Sequence, residues 1–302
     1  MPASPDDFTH PLDRAALEKL QAIPLFPACV KAFMKFFPER ILRGLNMANK
    51  VRLGPNQLPE LYRHLPPVCK TLGIAEPEFY LEMNPYPRAY TYGDKQVFVT
   101  ITSGMVECLE DDELHCVVAH ECGHIVCHHV LYHTMARALV IVGSMVFGPL
   151  AALAKPVQLA LLYWMRRSEL SADRAAAVVL RGPRPVVHSF VRLAGGPKSI
   201  TDEIDLELYA KQTEAYDKLL ESDWDRFLQN MVVMDQSHPF LAVRTREISA
   251  WCKTPEFRKV MTKLDGYKSA RRCGKCGQPV APRRTTCTFC GAKVTQRAKT
   301  KR

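Results

Sequence analysis

Acidic residues run out before this chain does. From Lys268 onward its 302 residues include eleven Lys/Arg and no Asp/Glu, so the formal charge of +10 belongs to the tail and residues 1–267 are close to neutral. That excludes a uniformly basic body of the kind that coats nucleic acid. Met1 to Asp7 shows no basic region followed by an apolar core, so no secretory leader is expected. No apolar run reaches the roughly 20 residues of a spanning helix. Ala138 to Ala154 comes nearest and resumes from Val157 to Trp164, but Gly148-Pro149 and Lys155-Pro156 cut it. A kinked span through Ala138–Trp164 would bury Lys155, so a buried helical hairpin is expected over a membrane-associated element. There is no internal repeat.

Cysteine is not scarce, but it is not arranged for disulfides. Four of the eleven cysteines form a tight C-terminal set. Cys29, Cys69, Cys108, Cys116, Cys122, Cys127 and Cys252 are odd in number, scattered and mostly within apolar sequence. Reduced, buried thiols are expected, hence a reducing, cytoplasmic setting, with membrane association through 138–164 as the variant. A hydrophobic content of 47% supports a real core. The length suits one large domain, 1–267, and one small one, 268–302.

The most informative stretch present is His120-Glu121-Cys122-Gly123-His124, an H-E-x-x-H pattern behind the helix-like opening Asp111-Asp112-Glu113-Leu114. Residues four apart share a helix face, so His120 and His124 can offer imidazole nitrogens to one Zn²⁺. Glu121 then lies where a carboxylate can take a proton from water on the metal. Chance H-x-x-x-H pairs occur, so a further acid is needed. Glu169 and Asp173 stand at i and i+4 in Ser168-Glu169-Leu170-Ser171-Ala172-Asp173. Glu169 is assigned to the metal, and Asp173 to the free N–H of a ligating histidine. On its own this pair reads better as a solvated face partnering Arg166, Arg167 and Arg174, and it is the His-Glu-x-x-His motif that tips it to the metal. His238, in Ser237-His238-Pro239-Phe240, reads as well as a polar helix start, with Pro239 in the first turn.

The rest of the chain predicts an α+β fold, mostly helical, with a small antiparallel sheet. Residues 12–72 carry helical spacing broken by prolines. Strand-like alternation follows in Glu78–Met83, Arg88–Tyr92 and Gln96–Ile101, the last two flanking Gly93-Asp94-Lys95 as a hairpin. Arg88–Tyr92 is the candidate edge for an extended peptide. The motif helix is expected over about 111–135, and the helix bearing Glu169 from about Leu159. Further helices are expected near 184–194, 203–220, 223–233, 240–251 and 255–264.

Taken in order, H-E-x-x-H, E-x-x-x-D and H-P-x-x-x-x-R resemble the HtpX-like and CAAX-prenyl-protease-type gluzincin metallopeptidases over about residues 60–250. Gly93, Thr102-Ser103-Gly104 and Asp112-Glu113-Leu114 support the match. The resemblance implies a zincin-type fold and zinc-dependent endopeptidase activity on protein or peptide substrates. It implies His120, His124 and Glu169 as ligands and Glu121 as general base. It places Asp173, His238 and Arg244 near the zinc, with His238 a donor to the developing oxyanion. The sequence departs from the family at Arg88, where an asparagine is common. A catalytically silent adaptor on this fold is the alternative. Such a relative would be expected to have lost Glu121 or a ligand, and all are present.

Cys273-Gly274-Lys275-Cys276 and Cys287-Thr288-Phe289-Cys290 are two C-x-x-C pairs, each followed by a glycine. Four thiolates at this spacing predict a structural zinc ribbon whose folding depends on its metal. Two Zn²⁺ per chain are therefore expected, one catalytic and one structural. The ribbon's basic flanks suit a docking protein or an anionic membrane surface. Nucleic acid ranks below these, because Phe289 is the ribbon's sole aromatic and stacking is weak.

Overall fold

The structure, a computed structural model, describes residues 2–24, 26–36, 39–147, 151–218, 240–264, 271–280 and 284–294. Its class is α+β and mostly helical, as expected. The proline-punctuated N-terminal region forms α1 (Pro11–Gln21), α2 (Phe26–Phe36), α3 (Glu39–Asn49), the short strand β1 (Val51–Arg52), α4 (Pro59–Tyr62) and α5 (Leu65–Leu72). Pro11 and Pro59 each open a helix, where a missing N–H costs nothing.

Strands β2 (Glu78–Glu82), β3 (Ala89–Gly93) and β4 (Val97–Thr102) complete a sheet in the order β1-β2-β4-β3. The expected hairpin is β3–β4, antiparallel, with Ala89 opposite Ile101. The sheet as a whole is mixed rather than antiparallel, because β2 pairs with β4 in parallel. After β2 the chain first lays down β3 at the edge and then returns, so β4 enters between the two in the direction of β2. Gly93 makes the hairpin possible: its φ is 129°, and a Cβ there would sit 2.0 Å from the Gln96 carbonyl oxygen.

Helix α6 (Ser103–Cys108), capped by the Thr102 hydroxyl, leads to the central helix α7 (Asp111–Val126). Three acids in its first turn complement the helix dipole, and the Glu113 carboxylate accepts from the Glu110 N–H at 2.8 Å. The helix expected to run to 135 stops nine residues sooner. His128 is left-handed (φ 59°), His129 N donates to His124 O at 2.9 Å and His128 N to Ile125 O at 3.1 Å. This is a Schellman closure, with histidine where glycine is usual. Helix α8 (Val130–Phe147) starts beyond it.

Helix α9 (Ala151–Leu180) begins eight residues before the expected Leu159, so Glu169 lies deep inside it rather than near its start. Helices α8 and α9 pack against each other, and the expected burial of this hairpin falls on 139–156, whose side chains lie outside those described. Among the described residues no helix is long and apolar enough to cross a membrane. Helices α10 (Arg184–Gly195), α11 (Lys198–Thr201), α12 (Leu206–Lys218), α13 (Leu241–Trp251) and α14 (Pro255–Lys263) follow. The helix expected at 223–233 falls outside the described residues.

Two apolar clusters hold these elements. The larger joins α5, the sheet, α7, the C-terminal half of α9, α10, α13 and α14 through residues such as Phe79, Val99, Ile101, Val118 and Phe257. Each such side chain contributes about 1.5–3 kcal/mol by leaving water. The smaller joins α1, α2, α8 and the N-terminal half of α9 through Leu20, Phe26, Met135, Leu161 and Trp164. Along α9, Trp164 belongs to one cluster and Ala175 to the other. Glu169 therefore sits at the seam between them.

Candidate metal centre and active site

Helices α7 and α9 cross at Gly123. A Cβ built there would lie 2.9 Å from Ala175 Cβ and 3.0 Å from Ala172 Cα. The missing side chain, facing small alanines, lets the α9 carboxylates reach the α7 imidazoles. His120 Nε2 lies 3.3 Å from Glu169 Oε2, and His124 Nε2 lies 3.4 Å from Glu169 Oε1. All three residues are buried, at 8%, 3% and 3% exposure. The sequence-predicted trio is thus brought to one point, and each residue has a ligand-type atom within 4.8 Å of the other two.

The surroundings test whether a cation fits. His120 Nδ1 lies 3.0 Å from Asp173 Oδ1, so that carboxylate accepts the Nδ1–H and turns Nε2 toward Glu169. Burial alone would push His120 down, yet Asp173 and Glu169 outweigh it and raise its pKa to about 10. His124, without a carboxylate behind it, falls to about 4 under burial. The two carboxylates thus favour positive charge at His120, beside the point where two nitrogens and a carboxylate meet. Two imidazoles and one carboxylate are the protein donor set of a hydrolytic zinc site.

Asp173 and Arg244 stand behind the trio. Arg244 grips Asp173 in two bonds, Nε to Oδ2 at 2.7 Å and Nη2 to Oδ1 at 2.6 Å, and its Nη1 lies 3.3 Å from Glu169 Oε2. Burial opposes the Arg244 charge, but the two acids raise its pKa. Burial likewise works against the Asp173 carboxylate, and Arg244 and His120 overcome it, so its pKa is lowered. Both residues touch ligands from the rear. His238 lies outside the described residues.

Glu121 points to the sheet side of α7. The Thr91 hydroxyl donates to Glu121 Oε2 at 2.6 Å, with both residues buried. Thr91 belongs to β3, which has β4 as its only strand partner among the described residues, so the candidate edge and the candidate base meet at one contact. Arg88 precedes β3 with an exposed side chain, while its backbone exchanges hydrogen bonds with Thr102.

Residues with no motif to announce them complete the centre. Beyond the Schellman turn, His129 Nδ1 meets His124 Nδ1 at 3.0 Å, and His129 Nε2 meets Asp13 Oδ2 at 3.0 Å. Ser171 and Trp164 also donate to Asp13, at 2.6 and 2.8 Å. Burial would raise the Asp13 carboxyl, but these three donors hold it below its ordinary value. His133 Nε2 lies 2.7 Å from Ser168 Oγ, and the same hydroxyl lies 2.8 Å from Met165 O. The run of His128, His129 and His133 was visible in the sequence as extra imidazoles. Asp13, more than a hundred residues away, gave no local signal.

At the C-terminus, β5 (Arg271–Arg272) and β6 (Pro279–Val280) precede the second cysteine pair. Cys273 Sγ lies 3.6 Å from Cys290 Sγ, and Cys276 Sγ 3.6 Å from Cys287 Sγ. Backbone N–H groups of Cys276 and Lys275 pull the Cys273 thiol down to about 6, whereas burial pushes Cys276 up to about 12 and raises Cys287. The unit rests on the body. Arg184 N donates to Thr288 O at 2.9 Å, Thr288 Oγ1 donates to Arg181 O at 2.8 Å, Arg284 pairs with Asp112, and Phe289 meets Phe257 edge-on.

A buried helix-borne His-Glu-x-x-His facing an acid from a crossing helix is the layout of a metallopeptidase. The model of peptidase family M48 matches residues 55–252, and the chain belongs to that family. It is similar to a plastoglobule-localized metallopeptidase 48 of Arabidopsis thaliana chloroplasts, 33% identical over 88% of this chain and 78% of that one. It is also similar to a Protease HtpX homolog of Tropheryma whipplei, 27% identical over 57% of this chain and 67% of that one. A further HtpX homolog, from a Sulfurihydrogenibium species, is 28% identical over 35% of this chain and 36% of its own length. No solved structure matches the chain.

Proposed function

We propose that this metallopeptidase is a zinc endopeptidase, with His120, His124 and Glu169 holding the catalytic ion. The observation behind this reading is the meeting of both Nε2 atoms on the Glu169 carboxylate, with Glu121 next to them on the same helix. Zinc bound there would supply a Lewis acid that makes water nucleophilic near neutral pH. Glu121 accepts the proton of the attacking water and returns it to the leaving amine. Thr91 fixes which oxygen of Glu121 is free for that work. Asp173 and Arg244 keep His120 and Glu169 in their tautomer and rotamer. An extended peptide lies along β3 by strand addition, running past Glu121. His238 is assigned the oxyanion from the motif alone.

Glu121→Gln keeps the metal ligands and removes the base. It should retain zinc and lose cleavage of an unfolded protein such as casein, read by zinc quantification and product release. A variant that binds zinc and turns over like the parent ends the assignment.

Residues 268–302 form the second unit of this reading, a ribbon whose four cysteines hold a structural zinc. One side of it is already taken by the body, at Arg181, Arg184, Asp112 and Phe257. Arg272, Lys275 and Lys293 remain exposed. These face outward for an acidic protein partner or an anionic membrane surface.

A further inference from the structure

We propose that Asp13 and His129 are positioning residues for His124, so that the N-terminal helix α1 is part of the metal centre. This rests on reading His124 as a ligand. Asp13 lies outside the residues the family model matches, and no motif reaches it.

With His124 Nε2 kept unprotonated as a ligand, the bond pattern leaves one consistent set of protons. Asp13 is an acceptor, approached by His129 Nε2, Ser171 Oγ and Trp164 Nε1 at 3.0, 2.6 and 2.8 Å. His129 therefore carries its proton on Nε2, and its Nδ1 has a lone pair. The 3.0 Å contact between His129 Nδ1 and His124 Nδ1 then requires the proton on His124 Nδ1. That leaves the His124 Nε2 lone pair on the side of Glu169, 3.4 Å from its carboxylate. His120 achieves the same result directly, through Asp173. One ligand is thus oriented by a carboxylate, and the other by a carboxylate acting through a second imidazole.

The fold goes to some length to build this chain. A non-glycine residue, His128, adopts φ 59° so that the next residue turns its ring back onto α7. His129 and Asp13 are each about 2% exposed or less in side chain. A carboxylate this deep is tolerated because three donors converge on it. His10 N donates to Ser171 Oγ at 2.9 Å and ties the start of α1 to the same point.

The test is zinc affinity of the full-length chain by chelator competition, with Glu169→Ala defining the share held by the ribbon. His129→Leu removes the acceptor behind His124, and His129→Gln offers a carbonyl oxygen in its place. Asp13→Asn keeps the volume of the carboxylate but brings an amide N–H against one of three donors. His129→Leu and Asp13→Asn should weaken the Glu169-dependent ion about ten- to a hundredfold, with His129→Gln recovering much of the loss and ribbon zinc unchanged. Nitrogen NMR of the parent imidazoles should show His129 protonated at Nε2 and His124 at Nδ1. Parent-like affinity in a folded His129→Leu, or in Asp13→Asn should the former not fold, overturns the proposal. So does a His129→Gln no better than His129→Leu. If the parent holds no ion that Glu169→Ala loses, the ligand reading itself falls and takes this proposal with it.

Discussion

Gly123 on α7 lies so near Ala172 on α9 that a Cβ on the glycine would come within 3.0 Å of the alanine's Cα and 3.1 Å of its carbonyl oxygen. The glycine between the two motif histidines is thus a contact point of two helix backbones. By intrinsic propensity Gly123→Ala should stabilise α7 by about 1 kcal/mol. Crowding against a backbone that cannot rotate away reverses the sign, at a cost of about 1–3 kcal/mol. The expected outcome is a lower denaturation midpoint together with weaker binding of the Glu169-dependent zinc, because α9 carries that carboxylate. A Gly123→Ala protein more stable than the parent would show that the helices have slack.

Thr91 and Glu121 make a second testable pair. The Thr91 hydroxyl is the donor to a buried carboxylate, and hydrogen bonds to charged groups contribute about 1.5–3 kcal/mol. Thr91→Val is close in shape and lacks the donor. Turnover should fall by about an order of magnitude or more, while zinc content stays at the parent level and Thr91→Ser recovers activity. Peptide hydrolysis kinetics with parallel zinc measurement decide it. Undiminished turnover in Thr91→Val would mean that Glu121 needs no orientation from the strand.

How much of this was legible beforehand follows from the range of the forces involved. His120, His124, Glu169 and Asp173 could be read because helical periodicity places residues four apart on one face, and only two helices had to meet. The β3–β4 hairpin could be read because its turn is local. The parallel pairing of β2 with β4 depends on the order in which strands join a sheet, which alternation does not encode. The end of α7 is not legible because a histidine, not a glycine, takes the left-handed position. Asp13 is not legible because a buried acid far off in sequence has no period. It is recognised only once its three donors are seen around it.

The pH dependence of stability should carry the mark of His115. This residue sits five residues before His120 on α7, its ring 5.6 Å from that of His64. Burial, then the neighbouring His64 and Arg284, lower its pKa from 6.5 to about 4, against the opposing pull of Asp112 and Asp111. A depressed histidine is neutral in the folded chain while the unfolded chain takes up a proton near 6.5. Between pH 6.5 and 4 the unfolded state binds more protons, so stability falls as pH falls through that window and is unaffected above it. The slope from this one group is up to about 1.4 kcal/mol per pH unit. His115→Phe should lose that part of the slope, so that parent and variant, compared by chemical denaturation at each pH, shift in the variant's favour as pH drops from 7 to 5. Parallel curves would mean that His115 is protonated equally in both states.

The ribbon's grip on the body gives the remaining prediction. Arg181 (φ 59°) and Gly182 (φ 158°) form a tight turn between α9 and α10, and Thr288 satisfies two of its backbone groups, the Arg181 carbonyl and the Arg184 N–H. Thr288 stands between Cys287 and Cys290, so its position is set by the cysteine knuckle. Cys287→Ser should remove one zinc per chain and with it the fold of the ribbon, since so small a unit has little other core than Cys273, Val280 and Cys287. The turn then loses Thr288, and the Arg284–Asp112 pair at the N-terminus of α7 goes with it. The body should unfold at a lower temperature and the tail should become open to limited proteolysis, while the Glu169-dependent zinc, some eleven residues further up α9, stays bound. Loss of both ions from Cys287→Ser would instead mean that the ribbon and the catalytic helices fold as one unit, and a body of unchanged stability would mean that the Thr288 contacts contribute little.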